Sequence, residues 1–193
     1  IMDGILRKLP IGIQTFEKLR EGDYLYVDKT ALVWRIASTE TPYFLSRPRR
    51  FGKSLLLSTF EAYFEGKKEL FEGLAIADME KEWKTYPVFH LDLNAEKYDS
   101  PQALVEILSR QLTQWELKYG KGEDEETLSG RFAGVIRRAS EQADRGVVVL
   151  VDEYDKPLLQ ALDDGALLDD YRKTLKAFYG VLKSSDRYLR FVF

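Results

Sequence analysis

The sequence contains no cysteine, one histidine and two methionines among its 193 residues. Without cysteine, disulfides, thiolate zinc sites and thiol nucleophiles are excluded, and a reducing cytoplasm is the expected compartment. The lone His90 cannot form a metal-binding cluster by itself. No hydrophobic run approaches the roughly 18 residues of a membrane span, and the N-terminus lacks the apolar segment of a signal peptide. We therefore expect a soluble, cytoplasmic protein with no membrane partner.

The charge balance excludes a general attraction to polyanions. The chain has 29 lysine and arginine residues against 32 aspartate and glutamate residues, a net charge of −3 at pH 7. Contact with nucleic acid would therefore need a local basic patch, and the sequence leaves a nucleic-acid partner unproven. A hydrophobic content of 45% over this length is enough for one compact domain with a substantial core.

Hydrophobic patterning predicts alternating strands and helices along the chain. The run Val147–Val151 is apolar and mostly β-branched, which predicts a central strand of a parallel sheet that is covered on both faces. The alternation predicts an α/β fold, a three-layer sandwich with a mostly parallel central sheet. The expected strands are 43–45, 88–93, 147–151 and 188–193, with a short strand considered at 24–28, and the expected helices are 54–64, 101–119, 128–143 and 166–184.

A phosphate-binding loop is predicted where a short apolar run ends and a helical pattern begins. Gly52, Lys53 and Ser54 match the end of the Walker A motif G-x-x-x-x-G-K-[ST]. In that motif backbone N–H groups cradle phosphate, the lysine reaches the terminal phosphates and the hydroxyl binds Mg²⁺. Arg47 replaces the first glycine and Pro48 supplies no N–H donor, so the match is partial. A lysine in a first helical turn opposes the macrodipole unless an anion is bound. The residues expected to bind the nucleotide are Arg49, Arg50, Phe51, Gly52, Lys53, Ser54 and Leu55, although the arginines alternatively face solvent.

An acidic pair follows the predicted central strand directly. An NTPase needs a carboxylate at the end of a strand to hold Mg²⁺ and often a second one to orient the attacking water. Asp152 is therefore the expected Walker B metal carboxylate and Glu153 the expected catalytic base, with Lys53 assisting catalysis. The alternative is that this pair only marks the exit of the strand into solvent. Together with the phosphate loop, the pair favours a P-loop NTPase fold with a catalytic glutamate.

Weaker sequence signals indicate further candidate residues at the site and the preferred nucleotide. Asp92 and Asn94 end the predicted strand 88–93 and are weaker candidates for the nucleotide edge of the sheet. The guanine-reading pattern Asn/Thr-Lys-x-Asp is absent, and its nearest match, Glu96 to Asp99, has an acid in place of the amide. ATP is therefore preferred to GTP.

Four segments carry a further signal, namely Leu9–Arg20, Tyr26–Thr30, Phe44–Ser54 and Val151–Pro157. They resemble the predicted bacterial AAA-ATPase-like family, and the resemblance covers nearly the whole chain. The Arg-Pro-Arg-Arg-Phe version of the phosphate loop resembles the family's own pattern. The resemblance therefore implies that the absence of the first glycine is a trait of the family. The resemblance implies an ATPase domain that is often followed, in longer members, by a nuclease-like domain. It also implies that Asp28 or Lys29 lies near the nucleotide.

The expected domain spans residues 1–193, with 1–40 as an N-terminal lead-in and 41–193 as the nucleotide-binding core. We expect this core to be C-terminally truncated, because related NTPases place a phosphate sensor and a further strand beyond the strand expected at 188–193. Three functions remain open: an ATP-hydrolysing engine, a nucleotide-binding switch or scaffold with little hydrolysis, and a P-loop phosphotransferase. The sequence also leaves the oligomeric state open, an oligomer included.

Overall fold

Residues 7–39, 42, 43, 45, 52–94 and 97–193 are described by the structure, a computed structural model. The chain forms two compact units, one that extends to Tyr86 and includes Phe193, and one that spans Pro87–Val192. This division follows from contacts between residues and does not test the boundary that the sequence predicts between residues 40 and 41. That boundary stays a prediction. None of the described helices is long and apolar enough to cross a membrane.

The first unit is built from short helices around an aromatic core. Rings of Phe16 and Phe71 lie 4.7 Å apart, and Trp83 packs on Phe71 at 5.2 Å and on Tyr63 at 5.9 Å between ring centroids. Aromatic side chains bury enough area to hold short elements that would not be stable alone. The helices are α1 (Phe16–Glu21), α2 (Thr30–Ala37), α3 (Lys53–Phe64) and α4 (Ala75–Met79), with a 3₁₀ turn at Lys68–Phe71.

The helix α3 confirms the helical pattern that follows the predicted phosphate loop. Leu57, Phe60 and Phe64 are buried, as expected for apolar residues spaced three and four apart on one helical face. Leu56 and Tyr63 are only half-buried, because they lie at the margins of that face. The helix begins one residue earlier than predicted, at Lys53.

The short strand considered at 24–28 is wrong. Tyr24 forms only an isolated parallel bridge with Lys8, supported by the Leu25 N–H, which donates to the Lys8 carbonyl at 2.8 Å. A strand needs a continuing ladder, but the chain after Lys8 turns at Pro10. Of the strand expected at 43–45, Tyr43 and Leu45 lie outside any helix or strand, and Phe44 lies outside the described residues.

The second unit is a parallel sheet with long helical crossovers, and it confirms the predicted α/β alternation. Its three strands have the order β1-β2-β3, and both pairings are parallel, so the apolar strand β2 is central among the strands described. The crossovers contain the three long helices that the sequence predicts. The elements are β1 (Val88–Asp92), α5 (Pro101–Tyr119), α6 (Leu128–Ala143), β2 (Val147–Asp152), α7 (Lys156–Gln160), α8 (Gly165–Ser184), a 3₁₀ turn at Asp186–Tyr188 and β3 (Leu189–Val192).

Helix caps fix where the crossover helices begin. The Ser100 hydroxyl accepts from the Ala103 N–H at 3.3 Å and Pro101 occupies the first helical position of α5, as predicted. The Thr127 hydroxyl caps α6 at 3.0 Å, and the Asp164 carboxylate caps α8 at 3.0 Å. Inside the core, Phe132 of α6 stacks on Phe178 of α8 with ring centroids 4.3 Å apart. The caps therefore fix the first turns of these helices, and the stacked rings pack α6 against α8.

A buried ion pair joins α5 to α6. Arg131 donates through Nε to Glu116 Oε1 at 2.8 Å and through Nη2 to Oε2 at 2.7 Å, and each residue is 8% exposed. The guanidinium also donates to the Ser109 hydroxyl at 2.6 Å and to the Thr113 hydroxyl at 3.0 Å. The hydrogen bonds from Arg131 hold the pKa of Glu116 below its usual value, although burial opposes them. The sequence offered no signal for this pair, because its members lie on different helices.

Candidate functional site

The predicted phosphate loop leads into the N-terminus of α3. Gly52 has φ 75° and ψ 22°, a left-handed conformation that favours glycine, and it immediately precedes the first helical residue. The N–H groups of Lys53, Ser54 and Leu55 have no hydrogen-bond acceptor among the residues that the structure describes. Free N–H groups at a helix N-terminus carry partial positive charge and favour an anion.

The side chains of this first turn add to the positive character. Lys53 forms no ion pair and the Ser54 hydroxyl forms no hydrogen bond within the described part of the chain. The first turn of α3 contains no acidic residue. Arg49, Arg50 and Phe51, which the sequence assigns to the same loop, lie outside the described residues. The described end of the loop thus has the donors that a phosphate group needs.

Residues of the first unit form hydrogen bonds with the beginning of α3. The Ser58 hydroxyl accepts from the Phe16 N–H at 2.9 Å and donates to the Leu55 carbonyl at 2.9 Å. Thr59 donates to the same carbonyl at 2.7 Å and also hydrogen-bonds the Tyr26 hydroxyl. Burial raises the pKa of Tyr26, and the Asp28 charge adds to this, so the phenol stays neutral and available for that hydrogen bond. The first turn of α3 is therefore fixed before any ligand binds.

Asp28, which the family resemblance places near the nucleotide, has a structural task in the first unit. Its Oδ1 accepts from the Thr30 N–H at 2.8 Å and the Thr30 hydroxyl at 2.6 Å, and its Oδ2 accepts from the Ala75 N–H at 2.8 Å. Burial raises the pKa of Asp28, but the hydrogen bonds from Thr30 and Ala75 outweigh it and the pKa is lowered overall. One carboxylate thus joins the starts of α2 and α4. Lys29 is exposed beside it.

We expect Asp28→Asn to lower the free energy of unfolding by about 1–2 kcal/mol, because an amide directs an N–H group at one of these donors. The depressed carboxyl pKa stabilises the fold above its unfolded value near 3.9 and loses that effect as the pH falls through the folded value. The difference between the variant and the parent chain should therefore shrink below about pH 4. Urea unfolding at pH 7 and pH 3 measures it. Asp78→Asn, at an exposed residue of α4, is the matched control and should change little; an equal loss in both variants contradicts the assignment.

The acidic pair of the second unit lies at the carboxyl end of the sheet. Asp152 is the last residue of β2 and is 7% exposed, and its Oδ1 accepts from the Glu153 N–H at 3.0 Å. Asp92, the last residue of β1, is its partner in the parallel register. Alternation along both strands therefore places Asp92 and Asp152 on the same face of the sheet. The predicted location of Asp92 at this edge is confirmed, whereas its contact with a nucleotide stays a prediction.

Asn94 lies in the polar loop that follows β1. Its N–H donates to Asp92 Oδ1 at 2.8 Å, and its side-chain oxygen accepts from the Lys156 ammonium group. Lys156 begins the short helix α7, three residues after Glu153. The contact therefore ties the loop after β1 to the loop after β2. Sequence reasoning missed Lys156, because a lysine before a proline carries no local signal for such a contact.

Glu153 has a backbone conformation that is rare for a glutamate. Its φ is 54°, in the left-handed region, where a residue with a side chain has a cost of order 1 to 2 kcal/mol. Its carbonyl accepts from the Lys156 N–H at 3.0 Å, which closes a turn into α7. Backbone strain of this kind is concentrated at functional sites. The residue type gave no hint of this conformation, since glycine or asparagine is usual there.

A preformed metal cage is absent from the described residues, where no group of three or more histidine, cysteine, aspartate or glutamate side chains could hold an ion. The predicted magnesium ligands are the Ser54 hydroxyl and the Asp152 carboxylate. Both are hard oxygen donors of the kind that Mg²⁺ prefers, and Mg²⁺ usually keeps several waters and takes oxygens from substrate phosphates. Each of these oxygens, taken by itself, therefore suits Mg²⁺ that arrives with a nucleotide better than a permanently bound ion.

Comparison with known families decides the classification. A family model described as Predicted AAA-ATPase matches residues 10–193. The chain belongs to this AAA-ATPase-like family. The match includes the α3 N-terminus and the acidic pair after β2, so membership extends over both segments to which the sequence assigns functional residues. The resemblance seen in the sequence is confirmed, and membership of this family suggests nucleotide binding.

A relative in Azotobacter chroococcum mcd 1 is described as "Uncharacterized protein in vnfD 5'region". It is 42% identical over 186 residues, which is 96% of this chain and 36% of the relative. The chain thus spans little more than a third of that relative's length. No solved structure matches the chain. A fused nuclease-like domain stays a prediction.

Proposed function

We propose that this chain binds ATP with Mg²⁺ and hydrolyses it. The observation that carries the proposal is the α3 N-terminus, where left-handed Gly52 is followed by three N–H groups without described acceptors and by the side chains of Lys53 and Ser54. Such an arrangement favours phosphate. Membership of a family of predicted ATPases supports the same function.

The proposed roles at the phosphate loop follow from the donors. The N–H groups of Gly52 to Leu55 hydrogen-bond phosphate oxygens, and the Lys53 ammonium neutralises the terminal phosphates. Arg49, Arg50 and Phe51 complete the loop with their backbone N–H groups. ATP is preferred to GTP because the sequence lacks the guanine-reading pattern. These residues bind and orient the substrate, which is most of what a phosphoryl-transfer enzyme must do.

The proposed roles at the acidic pair divide between metal and water. Asp152 is the proposed carboxylate ligand of Mg²⁺ and Ser54 the proposed hydroxyl ligand, and the metal, when bound, would neutralise phosphate charge. Glu153 accepts a proton from the attacking water as general base. The turn from Glu153 to Lys156 fixes the direction in which the glutamate leaves the sheet. A general base in a fixed position is more effective than one on a mobile loop.

A nucleotide-binding switch with little turnover is the second candidate. The phosphate loop has Arg47 in place of its first glycine, and Pro48 supplies no N–H donor. Fewer donors around the phosphates would weaken stabilisation of the transition state more than ground-state binding. ATP binding without turnover in the unmodified chain would favour this candidate over the ATPase.

We expect Glu153→Gln to keep ATP affinity within about threefold and to lower turnover by about 10²–10⁴-fold, because the amide is isosteric but cannot accept a proton. Asp152→Asn should instead weaken binding in the presence of Mg²⁺ and leave metal-free binding unchanged. ATP titration with and without Mg²⁺, combined with phosphate release, measures both effects. Asp163→Asn, at an exposed carboxylate, is the control. Identical behaviour of the Glu153 and Asp152 variants would show that the division of roles is wrong.

A further inference from the structure

Positive charge is concentrated at the end of the chain, although the whole sequence is acidic. Residues 171–192 contain a single acidic residue, Asp186, whereas the whole chain has a net charge of −3. The rest of the sequence therefore has a more negative net charge than the whole chain. The six basic residues of the segment are Arg172, Lys173, Lys176, Lys183, Arg187 and Arg190.

Four of these residues form one exposed face of α8. At 100° per residue, Arg172, Lys176 and Lys183 fall within about 40° of arc, and Lys173 borders them. All four are exposed, and we call them the α8 basic face. Arg172 forms an exposed ion pair with Asp169 at 3.4 Å, whereas the three lysines form none with the residues that the structure describes. At a rise of 1.5 Å per residue, the face presents charge along about 16 Å of a straight helix.

The opposite side of α8 is anchored, so the basic face is rigid. Tyr171, Leu175 and Phe178 are buried in the core of the second unit, and the Tyr171 hydroxyl donates to the Ser100 carbonyl at 2.6 Å. A row of charges on such a helix loses little backbone entropy when it meets a partner. Lys183 also suits the negative end of the helix dipole, but Lys173 and Lys176 lie too far from the C-terminus for that explanation.

The chemistry of the surrounding surface favours a phosphate backbone over a protein partner. The exposed neutral residues between the lysines are small, namely Ala177, Gly180 and Ser184. Protein interfaces are anchored by aromatic and large apolar residues. The large hydrophobic residues that are exposed in the described structure all lie before residue 163. Apart from Asp169, which pairs with Arg172, the described surface is cationic and has no apolar anchors, so it matches a polyanion.

We propose that the α8 basic face binds the phosphate backbone of duplex nucleic acid without reading its sequence. A duplex carries a dense, regular row of negative charge, to which a straight row of lysines is complementary. Single strands are usually held by stacking on aromatic residues, and none of the exposed residues of α8 is aromatic. Lysine contacts phosphate as a compact point charge and lacks the planar fork that gives arginine its geometric selectivity. The inference does not depend on ATP binding.

The test is fluorescence anisotropy with two unrelated 20-bp DNA duplexes, without nucleotide, over a series of salt concentrations. The parent chain should bind both duplexes with affinities within about twofold, and log affinity should fall with log salt at a slope near −3. Lys176→Gln combined with Lys183→Gln should weaken binding by about tenfold or more at low salt and reduce the slope by about 2. The thermal unfolding midpoint should change little, since both lysines are exposed and only Lys183 has a weak interaction with the helix dipole.

The matched control is Arg110→Gln combined with Lys118→Gln, the same change in net charge at exposed positions of α5. It should retain affinity within about threefold, because α5 is not the proposed contact. Equal losses in the two double variants would overturn the proposal in favour of a general charge effect. Tighter binding to polyglutamate than to duplex would overturn it in favour of an acidic protein partner. Unchanged affinity in the α8 variant would also overturn it.

Discussion

Lys53→Ala should weaken ATP binding by about 10-fold to 150-fold and leave the fold intact. A hydrogen bond to a charged group contributes about 1.5–3 kcal/mol, and each 1.4 kcal/mol corresponds to a tenfold change in affinity. The lysine forms no ion pair within the described part of the chain, so its removal should not change the unfolding midpoint. Calorimetric titration with ATP and Mg²⁺ measures the first effect, and thermal unfolding measures the second.

Lys68→Ala is the control for this prediction. Lys68 is an exposed lysine in the 3₁₀ turn of the same unit, and its variant has the same net charge as Lys53→Ala. It should bind ATP like the parent chain. Unchanged ATP affinity after Lys53→Ala would contradict the phosphate-loop assignment. An equal loss of ATP affinity in both variants would show that the effect comes from the change in net charge.

Arg131→Met should cost about 3–5 kcal/mol of stability, the largest effect that we expect from one substitution in the second unit. It leaves the Glu116 carboxylate buried and without its bidentate partner, and a buried unpaired charge is far more costly than a well-packed neutral pair. Arg137→Met, on the same helix, breaks an exposed pair with Glu141 at 3.4 Å and should cost less than about 0.5 kcal/mol. Urea unfolding of both variants gives the comparison.

The pH dependence separates the ion pair from simple packing. The Glu116 pKa is lowered in the fold, so the contribution of the pair is present above the unfolded value near 4.3 and is lost as the pH falls through the folded value. The cost of Arg131→Met should therefore decrease in acid, whereas a cavity would cost the same at every pH. Replacing Glu116 by leucine in the Arg131→Met background should restore most of the stability. Equal costs of Arg131→Met and Arg137→Met at pH 7 would contradict this account.

The long elements of the fold were predictable because local signals agreed. The helix from Pro101 to Tyr119 has a serine cap, a proline in its first position and apolar residues at helical spacing, and its predicted bounds are confirmed. The run Val147–Val151 is apolar on both faces, and it is the central strand of the described parallel sheet. In such segments the hydrophobic period, the caps and the tertiary packing all favour the same conformation.

Short elements escaped prediction because tertiary contacts stabilise them. The helices α1, α2 and α4 have too few residues for a clear period, and the Asp28 carboxylate that fixes the start of α4 lies 47 residues away in sequence. The segment 24–28 has the β-propensity of a strand but lacks a continuing partner. A sequence shows propensity, whereas a strand also requires a neighbour to pair with.

The candidate site was predictable in its residue types and not in its detail. The positions of Gly52 and Lys53 at a helix start follow from the sequence, as does the location of Asp152 at a strand end. The left-handed backbone of Glu153 and the contact between Asn94 and Lys156 required the structure, because both depend on how two loops meet. The magnesium and nucleotide contacts stay predictions.

The strand order also has a consequence for biosynthesis. No two neighbouring strands of the described sheet are joined by a hairpin, since α5 and α6 separate β1 from β2 and α8 separates β2 from β3. On a ribosome, the apolar strand β2 emerges before its second partner has been synthesised, and one of its edges then has no strand to pair with. Unpaired apolar strand edges promote aggregation. In the interval between the emergence of β2 and β3, the nascent chain therefore exposes an edge that promotes aggregation.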